Sequence, residues 1–375
     1  MQISALDSRA IANEKWGHVA IKGRGPSQAD IAREAGVSQS TVSMVLTGSG
    51  DLGRISAETQ RKVLRAARQL KYVSAGQQRL ASGGRHAPLL LGVHTFEPIF
   101  PTSAGDYYFE FLQGIEEQAG IEGCNLVLFT AAPNDDGVRR IYRGSTNGLR
   151  QANGSLLLGH HTHREDLARL AADRHPFVYI GHREVPGTEI CYVGGDYRAA
   201  TGRILDDLVA LGHRTFAYVG EAKRDEPQTD RWEGFRAALE RFGLAVPEPV
   251  FTRPDDLTAQ WLDRTVREGA TAILVEAVSL IRVLVAMARL RGLEIPGDLS
   301  LVLLVDDPSG ESGLDQVATL RIPRNAMGRR AVDLLTSLIT DPAGDYERQV
   351  LLPCTHTLTG TVGPRALGVA GQRVR

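Results

Sequence analysis

The chain contains few cysteines and no long uncharged hydrophobic run, and each shortage argues against a class of protein. Only three of its 375 residues are cysteines: Cys124, Cys191 and Cys354. An odd, widely spaced set indicates free thiols in a reducing compartment, not a disulfide framework or a zinc cage. The most apolar stretch, residues 272–290, contains Glu276 and Arg282, which argues against a transmembrane span.

Targeting and catalytic signals are also missing. Residues 1–25 contain no apolar segment of the signal-peptide kind, so we expect a disordered N-terminal extension and a cytoplasmic protein. The P-loop, the G-x-S-x-G elbow and the H-E-x-x-H metal motif do not occur, and no other catalytic grouping is visible. We therefore expect neither an enzyme nor a bound cofactor.

Charge is distributed unevenly along the chain. Residues 1–87 carry a net charge of +7, whereas the remaining 288 residues carry −8. A basic head on an acidic body favours a head that binds a polyanion, although a solvated helical face would have the same composition.

The stretch Gly48-Ser-Gly-Asp-Leu-Gly53 has the G-x-G-x-x-G spacing of a dinucleotide-binding turn. That fold also needs a strand before the glycines and a carboxylate about 20 residues later. The preceding apolar residues have helical spacing, and no acidic residue occurs between Glu58 and Glu97. The glycines are therefore interpreted as a loop between two helices.

Capping signals predict a helix-turn-helix unit around that loop. Ser27 is an N-cap with Asp30 three residues later, Gly36 supplies a left-handed turn, and Ser38 caps a second helix. A third helix is predicted from about residue 56 to 70.

The second predicted helix has the side chains that a DNA-reading helix needs. Gln39 and Ser40 lie at its N-terminus, away from its apolar side, where they can bond base edges. Thr41 and Ser43 can reach phosphate oxygens. The alternative is an ordinary three-helix bundle without DNA binding.

The stretch SQADIAREAGVSQSTVSMVLTG, with RISAETQRKVLRAARQLKY after it, resembles the DNA-binding head of LacI/GalR-type (lactose-repressor) transcription regulators. The resemblance assigns residues 26–72 to this head. It implies that the first, second and sixth residues of the recognition helix read bases, which are Gln39, Ser40 and Met44. Met44 departs from the arginine often found there and implies an apolar contact. The two cap residues, Ser27 and Ser38, complete the expected contacts.

The resemblance also implies a hinge over residues 73–87 that inserts a leucine into the minor groove. Leu80 is the expected wedge, with Arg79 beside it. A proline is missing after Tyr72, and Gly76 lowers helix propensity by about 1 kcal/mol. A plain flexible linker remains the alternative.

Alternating apolar runs and helical stretches from residue 88 onward predict an α/β body with parallel sheets. About ten strand-helix units favour two subdomains with a ligand cleft between them. This region resembles the periplasmic-binding-protein-like core of the same family over residues 88–363. We assign about 88–193 and 319–345 to the first subdomain, about 194–318 and 346–363 to the second, and 364–375 to a tail.

The resemblance places effector-binding residues in this cleft. Tyr107 and Tyr108 correspond to a stacking aromatic position, Arg231 to an arginine that grips a polar effector group, and Asp306 or Asp307 to an aspartate that accepts hydroxyls or amines. Two histidines at strand ends, His160 and His182, are added to this set.

Departures from the family pattern reduce the polar groups available for a sugar. The family's Asn-Asp pair is Ala277-Val278 here, and an aspartate is replaced by Gly181. The effector is therefore expected to carry fewer hydroxyls, or the site is degenerate. A metal at the H-H-x-H run of His160, His161 and His163 is disfavoured, because no further ligands complete the set.

The resulting hypothesis is a dimeric transcriptional regulator, most simply a repressor. Its partners would be a near-palindromic double-stranded DNA operator, a small-molecule effector and a second copy of the chain, with no membrane. The alternative keeps the fold but loses the working effector site, and regulation then comes from a protein partner or from abundance. An α/β enzyme is the third possibility.

Overall fold

The computed structural model describes residues 27–47, 55–70, 88–97, 106–130, 139–159, 163–307 and 316–365. Several sequence-based predictions lie outside these residues. They are the N-terminal extension, the glycine loop, the hinge with Arg79 and Leu80, the histidine His160, and the C-terminal tail beyond residue 365.

The N-terminal head consists of three helices, as predicted. They are α1 (Gln28–Ala35), α2 (Gln39–Thr47) and α3 (Ala57–Gln69). Their apolar faces meet in a small core, in which Ile31, Val42 and Val63 are fully buried. The apolar spacing that rejected a strand before the glycines is therefore confirmed as helical.

The first sheet of the body has six parallel strands in the order β13-β7-β6-β5-β1-β2. The strands are β1 (Leu90–Thr95), β2 (Asn125–Phe129), β5 (Gly154–Leu158), β6 (Phe177–Ile180), β7 (Tyr192–Asp196) and β13 (Gln349–Pro353). Between β2 and β5 the chain forms a short hairpin of β3 (Tyr142–Arg143) and β4 (Thr146–Asn147).

The second sheet also has six strands, in the order β14-β12-β11-β10-β8-β9. The strands are β8 (Phe216–Glu221), β9 (Val250–Thr252), β10 (Ala272–Val275), β11 (Ser300–Leu303), β12 (Ala318–Arg321) and β14 (Thr355–Thr357). All neighbours run parallel except β12 and β14, which are antiparallel. The predicted α/β architecture with two sheets is confirmed, with this one antiparallel edge added.

Helices connect the strands and cover the sheets. They are α4 (Phe109–Glu122), α5 (Arg164–Ala172), α6 (Tyr197–Ala210), α7 (Glu226–Arg241), α8 (Ala259–Arg267), α9 (Val278–Leu290) and α10 (Arg324–Thr340). A short 3-10 helix spans Pro254–Asp256.

Helices α4 and α10 pack closely because glycines face each other's backbone. A Cβ atom on Gly114 would collide with the Asn325 carbonyl, and one on Gly328 would collide with the Phe111 carbonyl. The two helices therefore form one rigid layer on the first sheet.

The predicted subdomain limits are wrong near the C-terminus. Strand β12, which includes residues 319–321, belongs to the second sheet, and β13 belongs to the first. Residues 194–196 complete β7 of the first sheet. Sheet membership is decided by long-range pairing, which a local apolar pattern does not reveal. The chain consequently crosses between the sheets three times, after β7, after β12 and between β13 and β14.

Each sheet reverses its strand order next to its first strand. The order changes beside β1 in the first sheet and beside β8 in the second. Ligands of open α/β sheets bind outside the carboxyl ends of the strands at such points. The loops after β1, β5, β8 and β10 therefore build the candidate cleft.

Candidate functional site

The start of the head is held by a reciprocal cap. The Ser27 backbone N–H donates to the Asp30 carboxylate at 2.8 Å, and the Asp30 N–H donates to the Ser27 hydroxyl at 3.4 Å. Gly36 ends α1 with a φ of 67°, a left-handed conformation that suits glycine. Both signals were predicted from the sequence and are confirmed.

Helix α2 begins with a cluster of hydroxyl groups. The Ser38 hydroxyl accepts the Thr41 N–H at 3.1 Å and lies 2.7 Å from the Thr41 hydroxyl and 2.8 Å from the Ser40 hydroxyl. Gln39 and Ser40 are exposed, whereas Val42 and Val45 face the head core. Unpaired N–H groups and the helix dipole make such an N-terminus favourable for anions.

The remaining predicted DNA contacts on α2 are less exposed than Gln39 and Ser40. Ser43 and Met44 are half-buried on α2, and the Thr41 side chain is also half-buried. The face that combines Gln39, Ser40 and Met44 is consequently only partly open. Arg79 and Leu80 lie outside the described residues.

An arginine of α10 bonds the head to the body. The Arg329 side chain is 6% exposed, and it donates to the Val45 carbonyl of α2 at 2.9 Å and to Gln118 of α4 at 3.3 Å. A positive group suits the C-terminal end of a helix, where carbonyls point outward. A cavity of about 880 Å³ lies beside this contact, between Gln60 of the head and the body.

Aromatic rings dominate the candidate cleft. Tyr107 and Tyr108 lie at its mouth with ring centroids 5.3 Å apart, and the Tyr108 hydroxyl donates to Glu97 at 2.6 Å. The cavity that they border measures about 60 Å³. Ligand pockets usually span about 300–1,000 Å³, so this cavity is too small, as it stands, for a typical small-molecule ligand.

His182 connects the two subdomains across the cleft. Its Nδ1 lies 2.6 Å from the Asp230 carboxylate of α7. Burial opposes a positive charge on the ring, but the hydrogen bond and charge of Asp230 outweigh it and raise the pKa of His182 above its usual value.

Two arginines of the first subdomain meet the N-terminus of α7. Arg183 donates to Glu226 at 2.9 Å and Arg164 to the same carboxylate at 2.6 Å. The Glu184 backbone N–H adds a third bond to Glu226 at 2.9 Å. These contacts hold the cleft closed at one end.

The predicted aspartate position is occupied by a buried ion pair. Asp306 follows β11, and both of its carboxylate oxygens accept from Arg324, one of them at 2.6 Å. The Arg324 side chain is 1% exposed, and its guanidinium lies 4.4 Å from the centroid of the Tyr107 ring. Asp306 thus pairs with Arg324 across the cleft, and Asp307 is half-buried beside it.

Arg231 forms no hydrogen bond or ion pair with Asp306, which is engaged by Arg324. The Arg231 side chain is buried, its Nε donates to the Leu304 carbonyl at 2.8 Å, and its guanidinium stacks 4.2 Å from the centroid of Tyr197. The Tyr197 ring in turn lines the cleft cavity.

Sequence reasoning missed three residues of this region. Glu276 directly follows β10 and accepts from the Tyr218 hydroxyl at 2.6 Å, from the Glu221 N–H at 2.9 Å and from Arg224. Arg183 and Arg324 were also missed. The available signal was a charged residue close to the end of an apolar element: Glu276 directly follows β10, Arg324 begins α10, and Arg183 lies three residues after β6.

Within the described residues, no helix is long and apolar enough to cross a membrane. The described histidine, cysteine, aspartate and glutamate side chains form no cluster of three that could hold a metal ion. The three cysteines are free.

Two stretches of the chain match described protein families. Residues 29–74 match "Bacterial regulatory proteins, lacI family", and residues 205–361 match "Periplasmic binding protein-like domain". The matched ranges coincide with the helical head and with much of the second sheet and the crossing segments.

Relatives along nearly the whole chain are transcriptional regulators. The uncharacterized HTH-type regulator in the aml 5' region of Streptomyces limosus is 30% identical, over 83% of this chain and 87% of its own. The HTH-type transcriptional regulator GntR of Pseudomonas aeruginosa is 28% identical, over 84% and 89%. The ribose operon repressor of Escherichia coli is 26% identical, over 86% and 96%.

Solved structures have the same fold. The lac repressor dimer bound to operator and the anti-inducer ONPF has a TM-score of 0.56 at 21% identity, covering 91% of this chain and all of that chain.

Proposed function

Since the chain belongs to the LacI family of bacterial regulatory proteins, we propose that it represses transcription by binding an operator as a homodimer and releasing it in response to a small molecule. The observation that carries this proposal is the exposed N-terminus of α2, which presents Gln39 and Ser40 beside a row of hydroxyl groups. The proposed place of action is the cytoplasm, where operator DNA lies.

In this proposal the side chains of α2 divide into two groups. Gln39, Ser40 and Met44 contact base edges in the major groove, with Gln39 suited to adenine and Met44 to a thymine methyl. The hydroxyl residues position the helix on the phosphates; they are Ser27, Ser38, Thr41 and Ser43. The hinge adds Leu80 as a minor-groove wedge, with Arg79 on the backbone.

A homodimer follows from the geometry of a single head. One head reads only a few base pairs, so two heads related by a two-fold axis read a near-palindromic operator. The lac repressor dimer on its operator supports this arrangement through its shared fold.

The cleft between the sheets is the proposed effector site. A metabolite enters when the contacts of His182 and Arg183 with α7 open, and it then meets Arg231 and the tyrosines. The effector is proposed to be a sugar-like compound or a related metabolite, and the ribose operon repressor among the relatives supports a metabolite of this general kind. The closed cavity of about 60 Å³ keeps the alternative of a degenerate site, with control by a partner protein or by abundance.

The test is selection of bound sequences from random DNA with the full-length protein. Gln39→Ala should relax the preference at one position of each half-site, at a cost of about 1–3 kcal/mol. Gln260→Ala, an exposed glutamine of α8 on the second sheet, is the matched control and should select the unchanged motif. Affinity should also fall steeply with salt, at a log–log slope of about −0.9 per phosphate contact.

An unchanged motif for Gln39→Ala would show that α2 does not read bases. Binding that does not depend on salt would refute DNA recognition by the basic head altogether.

A further inference from the structure

Arg231 is a buried cation beside the candidate cleft. Its side chain is 5% exposed, and it forms no ion pair with any carboxylate that the structure describes. Its Nε is bonded to the Leu304 carbonyl, but no hydrogen bond joins its two terminal nitrogens to the described residues. The other buried arginines around the cleft differ, since Arg183 and Arg324 each pair with an acidic group.

The nearby carboxylates are already engaged. Asp306 receives two bonds from Arg324, and Glu276 receives the Tyr218 hydroxyl, a backbone N–H and Arg224. Burial disfavours the charge on Arg231, but nearby groups, Tyr197 and Glu276 among them, raise the pKa of Arg231 above its usual value. Since the described residues form no hydrogen bond with its two terminal nitrogens, these nitrogens can still take a carboxylate directly.

The cavity next to Arg231 is reached through Tyr197, which stacks on Arg231 and also lines the cavity. It offers stacking surfaces and few free polar groups. The cavity is lined mainly by rings and aliphatic side chains, including Tyr107, Tyr108, Phe111, Tyr179, Tyr197 and Met327. The Tyr108 hydroxyl already donates to Glu97. The Tyr179 hydroxyl donates to the Gly159 carbonyl and accepts from Arg183. A ligand with many hydroxyls would leave most of them unpaired, which costs about 1–3 kcal/mol for each buried group.

We propose that the effector is a small monocarboxylic acid with a flat apolar body, not a neutral polyol. Its carboxylate pairs with the two terminal nitrogens of Arg231, and its body stacks between the tyrosines. The two terminal nitrogens of one guanidinium form a planar fork that fits the two oxygens of one carboxylate. This inference rests on the proposed role of the cleft as the effector site.

The test compares acids with their neutral amides on the full-length protein. The probes are benzoate, 4-hydroxybenzoate and phenylacetate, each against its primary amide, together with the neutral sugars D-ribose and cellobiose. Binding is measured by thermal unfolding and by calorimetry. At least one acid should raise the Tm and bind about tenfold or more tightly than its amide, because charge-assisted bonds are lost in the amide.

Three variants connect the preference to Arg231. Arg231→Gln should abolish the difference between acid and amide, whereas Arg231→Lys should keep part of it because the charge remains. Arg236→Gln changes an exposed arginine of the same helix, which pairs with Glu240, and should bind the acids like the wild type.

Several outcomes would overturn the proposal. They are stabilisation by D-ribose or cellobiose but by none of the acids, equal affinity for acid and amide, an acid preference that survives in Arg231→Gln, and no response to any acid. The proposed function is judged separately by operator binding. If an acid binds through Arg231 but never releases DNA, the acid site stands and effector control of the operator fails.

Discussion

Replacing Arg324 by methionine should destabilise the body far more than replacing an exposed arginine, because it strips a buried carboxylate of its partner. The Arg324 side chain is 1% exposed and the Asp306 side chain 15% exposed, and the two form a bidentate pair between the subdomains. Breaking a buried ion pair by removing one partner costs about 3–5 kcal/mol. Since Asp306 keeps some contact with water, we expect the lower end, about 3 kcal/mol.

Urea unfolding provides the measurement, followed by circular dichroism and by the fluorescence of Trp232 and Trp261 in the second subdomain. Arg236→Met is the matched control. That arginine pairs with Glu240 on the surface, with side chains 46% and 52% exposed, so its loss should cost only about 0.3–0.5 kcal/mol.

A double variant, Arg324→Met with Asp306→Leu, separates pairing from packing. It should recover most of the lost stability, because apolar groups in place of a buried ion pair are often neutral or stabilising. If Arg324→Met lowers the free energy of unfolding no more than Arg236→Met does, the pair of Arg324 and Asp306 is not buried in solution and the two subdomains are not held together at this point.

Two further predictions concern the pH dependence of the body and the stability of the head. Burial lowers the pKa of His94 to about 4, and the nearby Arg139 backbone offsets only part of this effect. An unfolded histidine titrates near 6.5, so the unfolded chain binds more protons between these values and stability falls by up to about 3 kcal/mol as the pH drops through that range. His94→Leu should remove this loss of unfolding free energy between pH 7 and pH 4.5, as measured by urea titrations at the two pH values. If the unfolding free energy of His94→Leu depends on pH as strongly as that of the wild type, the low pKa assigned to His94 is contradicted. Ser27→Ala should speed hydrogen exchange of the α1 amides, since losing an N-cap costs about 1 kcal/mol, whereas Ser27→Asp should restore protection; equal exchange in both variants would argue against the cap.

The head was predictable because its signals are local. Ser27, Asp30 and Gly36 act within a few residues of one another, so the sequence contains the whole cap and turn. The strands of the two six-stranded sheets up to β11 were equally visible as apolar runs, whereas the two-residue strands β3 and β4 were not predicted. Strands β12 to β14 were missed because they are short and two of them form sheet edges, where apolar residues need not dominate.

The cleft was predictable only in part, because its contacts join distant segments. The resemblance assigned Arg231 and Asp306 to this region, but only the fold shows that Asp306 is engaged by Arg324 and that Arg231 is not. Likewise, no local pattern pairs His182 with Asp230, which lies 48 residues later on α7. Which charges pair depends on how the two sheets are placed relative to each other. A short segment of the sequence does not show this placement.

Helix α10 contacts both the candidate cleft and the head, and this couples their movements. Arg324, its first residue, holds Asp306 at the cleft, while Arg329, five positions later, holds the Val45 carbonyl of the recognition helix. At a rise of about 1.5 Å per residue, Arg324 and Arg329 are separated by about 7.5 Å along the axis of this helix. A movement of α10 that breaks one of these contacts therefore displaces the other, so the candidate cleft and helix α2 are linked through fewer than two helical turns.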